Sequence, residues 1–190
     1  MRLATGVSFP ILLLALVVVL WDPVSPLAMD RANRAYLLGD HGQALRIYSE
    51  VVDGWHPRTT RKTAAERAAL LALEAGEPVE AVNRMRESIS SATGDERTRL
   101  QVRLAAIYAE QFLDQRRAAE LLQEASDGGR RVDLAVAAAR RYERAEAWPE
   151  AAAAWTSALP GLTERDARAE AEAGLLRAGR HDDTTTKESE

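Results

Sequence analysis

The 190-residue chain contains no cysteine. Disulfides, thiolate nucleophiles and cysteine-ligated zinc are excluded by that alone. Lysine is nearly missing too: of 25 basic residues, all but Lys62 and Lys187 are arginine. Nor does basic charge dominate, because 29 acidic residues set the net charge at −4 and interleave with the arginines. A nucleic-acid binder gathers a basic excess on one face. The single short basic run, Arg58-Thr59-Thr60-Arg61-Lys62 with Arg67 beyond it, reads as a solvated loop. Aromatics make up only 5%. β-Branched residues thin out beyond about residue 60, leaving Ala, Leu, Glu and Arg, the composition of helices rather than strands.

Groupings that carry chemistry are also lacking. Histidine occurs three times, at His41, His56 and His181, and no two share one helix face at ligand spacing. His41 beside Asp40 and His56 near Asp53 fall between helices, where neither makes a metal set. Gly128-Gly129-Arg130-Arg131 has no strand before it, so it reads as a helix breaker rather than a phosphate loop. Glutamates abound but stand beside arginines at exposed helical positions, whereas acid–base catalysis needs a desolvated pair. The sequence points away from an enzyme and implies no catalytic residue, no metal and no cofactor.

One long apolar run is present. From Leu3 to Trp21 there are 19 residues without a charge, almost purely aliphatic from Ile11 to Leu20. As a helix the run spans about 28 Å, close to a bilayer core. Residues 1–8 are therefore expected to be a short N-terminal segment and 9–21 a transmembrane anchor, opened by Pro10 and closed by the interfacial Trp21. A cleaved signal peptide is the alternative, with Arg2 as its positive start. The stretch Asp22-Pro23-Val24-Ser25-Pro26-Leu27-Ala28 is a poor cleavage site, since Pro26 stands where a small side chain is wanted. The expectation is an uncleaved, single-pass signal-anchor with the folded part on the extracytoplasmic side of a bacterial inner membrane.

The remainder is organised by repetition. Turn residues recur at Gly39, Gly76, Leu113 and Glu146, spaced by 37, 37 and 33 residues, the range of helical repeats. Five positions after each comes alanine (Ala44, Ala81, Ala118, Ala151). Four further on stands a bulky residue (Tyr48, Met85, Leu122, Trp155), then a compact one (Val51, Ser88, Ala125, Ala158). Seven positions before each turn is another alanine: Ala32, Ala69, Ala106 or Ala139. The alanines are expected where paired helices cross, and the bulky residues should fill the gap toward the next pair. Ser25-Pro26 and Thr63-Ala64-Ala65-Glu66 read as helix starts, the latter as a capping box. A last helix of about Glu164 to Ala178, stopped by Gly179, has no partner after it and caps the stack.

This layout resembles the tetratricopeptide repeat family, most clearly in Gly39-Asp40 through Ala44 and Tyr48 and in Gly76 through Ala81. The family's turn glycine is replaced by Leu113 and Glu146. The resemblance implies an all-α, right-handed solenoid of helix pairs: about four repeats plus a C-terminal capping helix over residues 22–179, then a disordered polar tail at 180–190. It also implies a concave groove lined by first helices. That projection places Asn33, Tyr36 and Leu37 in the groove from the first repeat and Glu66, Leu70 and Leu73 from the second. Arg103, Ile107 and Glu110 follow from the third, and Arg140, Glu143 and Arg144 from the fourth. The family's carboxylate clamp is not carried over, since Met29 and Arg67 stand where it wants lysine and asparagine. The implied function is a membrane-anchored protein–protein interaction scaffold that assembles or stabilises an envelope complex, its partner laying an extended or helical segment in the groove. The alternative is an exported chaperone-like binding module released by signal cleavage.

Overall fold

The computed structural model describes residues 24–187, and every regular element among them is helical. The α-helices are α1 (Val24–Leu37), α2 (His41–Asp53), α3 (Arg58–Glu74), α4 (Pro78–Ser91), α5 (Gly94–Gln111), α6 (Gln115–Ala125), α7 (Val132–Arg144), α8 (Trp148–Ala158) and α9 (Arg165–Lys187). A 3₁₀ turn, Leu159–Gly161, follows α8. The chain divides between Ser91 and Ala92 into two units. In the first, α1 packs on α2, α2 on α3 and α3 on α4; in the second the same succession runs from α5 to α9.

The hairpins are made by their turn residues. Gly39, Gly76, Leu113 and Glu146 all adopt positive φ, at 78°, 75°, 55° and 55°. Left-handed backbone is free of penalty only for glycine, so Leu113 and Glu146 hold it at a cost. The next amide then reaches back to close the helix: Asp40 to the Ala35 carbonyl at 3.0 Å, Glu77 to Ala72 at 2.8 Å and Ala147 to Tyr142 at 2.9 Å. These are Schellman closures. The third turn differs. Asp114 reaches the Tyr108 carbonyl, one residue further back, at 3.0 Å, and Gln115 Nε2 donates to the bypassed Ala109 carbonyl at 3.4 Å. Two turns also supply the next helix's cap: Asp40 Oδ1 accepts from the Gln43 amide at 2.9 Å, and Asp114 Oδ1 from the Arg117 amide at 2.8 Å. An N-cap carboxylate answers a donor that the helix leaves orphaned.

The second-helix register holds throughout. Ala44, Ala81, Ala118 and Ala151 are all buried, as are Tyr48, Met85, Leu122 and Trp155 and the compact Val51, Ser88, Ala125 and Ala158. Among the first-helix alanines, Ala32, Ala69 and Ala139 are buried, but Ala106 is half-buried. Ala105 has taken its place, at 1% exposure. The cause is the longer third turn: the residue that closes α5 is Tyr108, so the core positions of α5 from Leu100 to Ile107 lie one residue earlier than the count from Leu113 predicts.

Two helix limits also depart from expectation. α3 begins at Arg58, directly after Pro57, rather than at Thr63. No breaker separates Pro57 from Thr63, and the Thr63 hydroxyl donates to the Thr59 carbonyl at 3.0 Å as a mid-helix threonine does. The basic run expected in a loop is therefore the first turns of α3. At the other end, α9 passes through Gly179 and continues to Lys187. Gly179 keeps helical backbone, since a lone glycine weakens a helix without having to end it. The expected anchor lies outside the described residues. Among those described, no helix is long and apolar enough to cross a membrane.

A candidate interaction groove on α1 and α3

α2 lies between α1 and α3 and sends Tyr48 into the space they flank. The result is an open cavity of about 410 Å³, lined by Asn33, Tyr36 and Leu37 of α1, Tyr48 of α2, and Arg67, Leu70, Leu71 and Glu74 of α3. Its floor is polar. Tyr48, only 2% exposed, donates its hydroxyl to Asn33 Oδ1 at 2.6 Å. Arg67 Nη1 donates to the same Asn33 oxygen and to Tyr48 Oη at 3.2 Å. The guanidinium carbon sits 5.8 Å from the centroid of the Tyr48 ring, within cation–π range. Burial pushes the Tyr48 phenol above its usual value, and Arg67 offsets this only in part. Tyr48 therefore stays neutral at physiological pH and serves as a donor.

The walls are apolar: Tyr36, Leu37 and Leu70 are exposed and Leu71 is buried behind them. At the rim, the Tyr36 ring stacks on His41 at 5.1 Å, and His41 Nδ1 lies 3.2 Å from Glu74 Oε2. The pocket offers an apolar seat above a guanidinium and an amide. It holds no nucleophile with an attendant base. No group of three His, Asp or Glu side chains capable of holding a metal occurs among the described residues.

The structure brings Asn33, Tyr36, Leu37 and Leu70 together in this cavity; Glu66 and Leu73 stand half-buried on the same helix α3. Tyr48, Arg67, Leu71 and Glu74 belong to it as well, although the spacing assigns none of them there. A signal for Tyr48 existed, because a buried tyrosine hydroxyl needs a partner, and Asn33 faces it across α1 and α2.

In the second unit the projected residues stand in different settings. Ile107, expected on the open face, is only 5% exposed, a consequence of the shifted α5 register; Arg103 and Glu110 are exposed. On α7, Arg140 forks onto Glu170 of α9, with Nε at 2.7 Å and Nη2 at 2.6 Å. That pairing holds the Glu170 carboxyl below its usual range. Glu143 accepts from the buried Trp155 indole at 3.0 Å and from Arg177 at 2.8 Å. Arg144 is exposed. Thus α9 engages two of the three residues projected from α7.

No family model matches the sequence, and no curated protein does. Likeness appears among solved structures. The crystal structure of the MamA protein superposes with a TM-score of 0.52 at 16% identity, covering 86% of this chain and 94% of that one. A Podosopora anserina protein of kinesin light chain type, with nearly identical TPR-like repeats, gives 0.49 at 18% identity, covering 88% and 91%. The neighbours of this chain are TPR-like repeat proteins, and what it shares with MamA at so low an identity is the fold.

Proposed function

We propose that the chain is a membrane-anchored protein–protein interaction module whose α1–α3 groove receives an apolar segment of a protein partner. The observation that carries this reading is the cavity itself. Exposed Tyr36, Leu37 and Leu70 border a floor where Arg67, Asn33 and Tyr48 hold one another in place. Pre-organised polar groups beneath an apolar seat favour one orientation of a bound helix or strand and lower the ordering cost of binding. Tyrosine and arginine are also the residue types on which interface energy concentrates. The uncharged run Leu3–Trp21 supports the anchor, and α1 beginning at Val24 argues against cleavage after Ala28, which would remove the helix's first residues. The projected residues Glu66, Leu73, Arg103, Ile107, Glu110, Arg140, Glu143 and Arg144 are not required by this reading.

The test is a photocrosslinker at Leu70 of the full chain in intact membranes. A discrete protein adduct is expected, and it should be lost when Tyr36 and Leu37 are both replaced by alanine in a chain that still melts cooperatively. An adduct that survives this double substitution places the working surface elsewhere. A mature terminus near Met29, found by mass spectrometry, would overturn the anchor in favour of an exported, soluble binding module.

A further inference from the structure

Trp55 is 92% exposed, more than any other large apolar side chain described. It sits in the short loop between α2 and α3 and is followed by His56, Pro57 and the basic turns of α3. From Gly54 to Ala65 the chain carries Arg58, Arg61 and Lys62 and no acid. The amino end of α3 has no side-chain cap and no acidic residue in its first turn. Cations at that end of a helix add to the positive pole of its dipole, an arrangement that an external anion relieves. Beside them, a cleft of about 60 Å³ is lined by Arg58, Arg61, Lys62, Glu87, Ser90 and Ser91. Glu87 is its one carboxylate and pairs with Arg61 at 3.2 Å. The nearby Asp53 is bound to Arg84 at 2.8 Å. Arginine and lysine therefore outnumber acid on this surface.

The topology says where this surface lies. α1 and α2 have 14 and 13 residues and are joined by a tight turn, so they run antiparallel and level. The start of α1, the end of α2, the start of α3 and the end of α4 all fall at one end of the first unit. Residue 24 is at that end, and the uncharged run closes at Trp21, three residues before it. An exposed tryptophan beside arginines and a lysine is the residue set that lodges at an anionic bilayer surface, indole in the interface and cations on the phosphates.

We infer that the α2–α3 loop and the first turns of α3 form a lipid-contacting surface, with Trp55 entering the interface of an anionic membrane and Arg58, Arg61 and Lys62 meeting its phosphates. This rests on the anchored reading above for its placement. The surface would hold the first unit upright on the membrane, with the Gly39 and Gly76 turns at the far end.

The absence of cysteine makes the experiment direct. A single cysteine at Thr59, or at Gln43 at the opposite end of α2, carries an environment-sensitive fluorophore in the full chain reconstituted into vesicles. With phosphatidylglycerol present, the label at 59 is expected to shift to the blue and to be quenched by aqueous iodide about fivefold less than the label at 43. In pure phosphatidylcholine most of that protection should be lost. Trp55→Ala, or Arg58→Glu with Lys62→Glu, should remove it in anionic vesicles without lowering the melting temperature. Equal quenching at 59 and 43 would overturn the inference. Protection that survives all three substitutions would do so too, as would protection supplied equally well by a soluble RNA or an acidic polypeptide. Carbonate extraction separates the two readings. Release of the chain defeats the anchor, while vesicles added to the released full-length chain still report on the surface.

Discussion

Gly174 lies in α9 against the Trp155 indole. A Cβ built on it would meet Nε1 and would stand 2.6 Å from Cε2 and 2.7 Å from Cδ1. Trp155 is fully buried and its Nε1 is held by Glu143 at 3.0 Å, so the ring cannot yield cheaply. In a free helix, glycine to alanine gains about 0.8–1 kcal/mol. Overpacking costs about 1–3 kcal/mol, and loosening a hydrogen bond to a charged acceptor about 1.5–3 kcal/mol. Gly174→Ala is therefore expected to destabilise by about 1.5–5 kcal/mol, roughly 2–4 °C of melting temperature per kcal/mol for a chain of this size. Gly179 is the internal control. It lies in the same helix, and a Cβ there meets nothing within 4 Å. Gly179→Ala should therefore raise the melting temperature, by up to about 1 kcal/mol of stability. Far-UV circular dichroism melts of the full-length variants in detergent decide the matter. If both substitutions raise the melting temperature, α9 is not seated on Trp155, and its pairings with α7 fail as an account of stability.

Three further outcomes follow from the turns, the crossings and the α7–α9 ion pair. Leu113→Gly and Glu146→Gly should each stabilise by about 0.5–1 kcal/mol by relieving left-handed backbone, and Gly39→Ala and Gly76→Ala should each cost about 1 kcal/mol, measured by denaturant titration. Ala81→Trp or Ala118→Trp, at positions with no exposure, should cost about 1–3 kcal/mol or more, while replacing His41 or His56 stays within about 0.5 kcal/mol of neutral; the reverse order in thermal melts would refute the crossing register. The Glu170 carboxyl is held below its usual value, first by its hydrogen bonds to Arg140, so its contribution is present at neutral pH and is lost as pH falls through the depressed value. The pair is half exposed, so Glu170→Gln should cost only about 0.5–1 kcal/mol at pH 7, with the gap from the unsubstituted chain closing in acid; a gap that persists at low pH would mean that packing, not charge, is lost.

Much of the fold was legible because its rules are local. A left-handed turn, an alanine five residues on and a bulky residue after it recur wherever a short helix must return along its neighbour, and all twelve second-helix positions are buried as the spacing requires. Even Leu113 and Glu146, which no glycine rule would select, take positive φ because the hairpin demands it there. What local rules hide is long-range pairing. Nothing in the spacing says that Arg140 and Glu143 meet Glu170 and Arg177 of α9, 30 and 34 residues later. A mixed-charge helix face reads the same whether it awaits a partner or already has one in its own chain.

The third repeat shows how a correct period can still misplace a side chain. Counting back from Leu113 puts Ala106 in the core and Ile107 in the groove. The closing hydrogen bond runs to Tyr108 instead of Ala109, so the helix face turns by one residue. Leu100, Leu104 and Ile107 are then buried together, at the three- and four-residue spacing of one helix face. That spacing was visible in the sequence and conflicted with the count from the turn; core burial outweighs repeat arithmetic because apolar area, not residue number, drives the packing. The slip also bears on recognition. The position equivalent to Asn33 and Leu70 in the third repeat becomes Ala106, a methyl where α3 presents a leucine. A shallow alanine gives a partner little to grip, whereas Tyr36, Leu37 and Leu70 around the Arg67–Asn33–Tyr48 floor offer both apolar area and orientation. On the function proposed above, recognition would concentrate at the first two helix pairs, and variants of α1 and α3 should weaken partner capture far more than variants of α5.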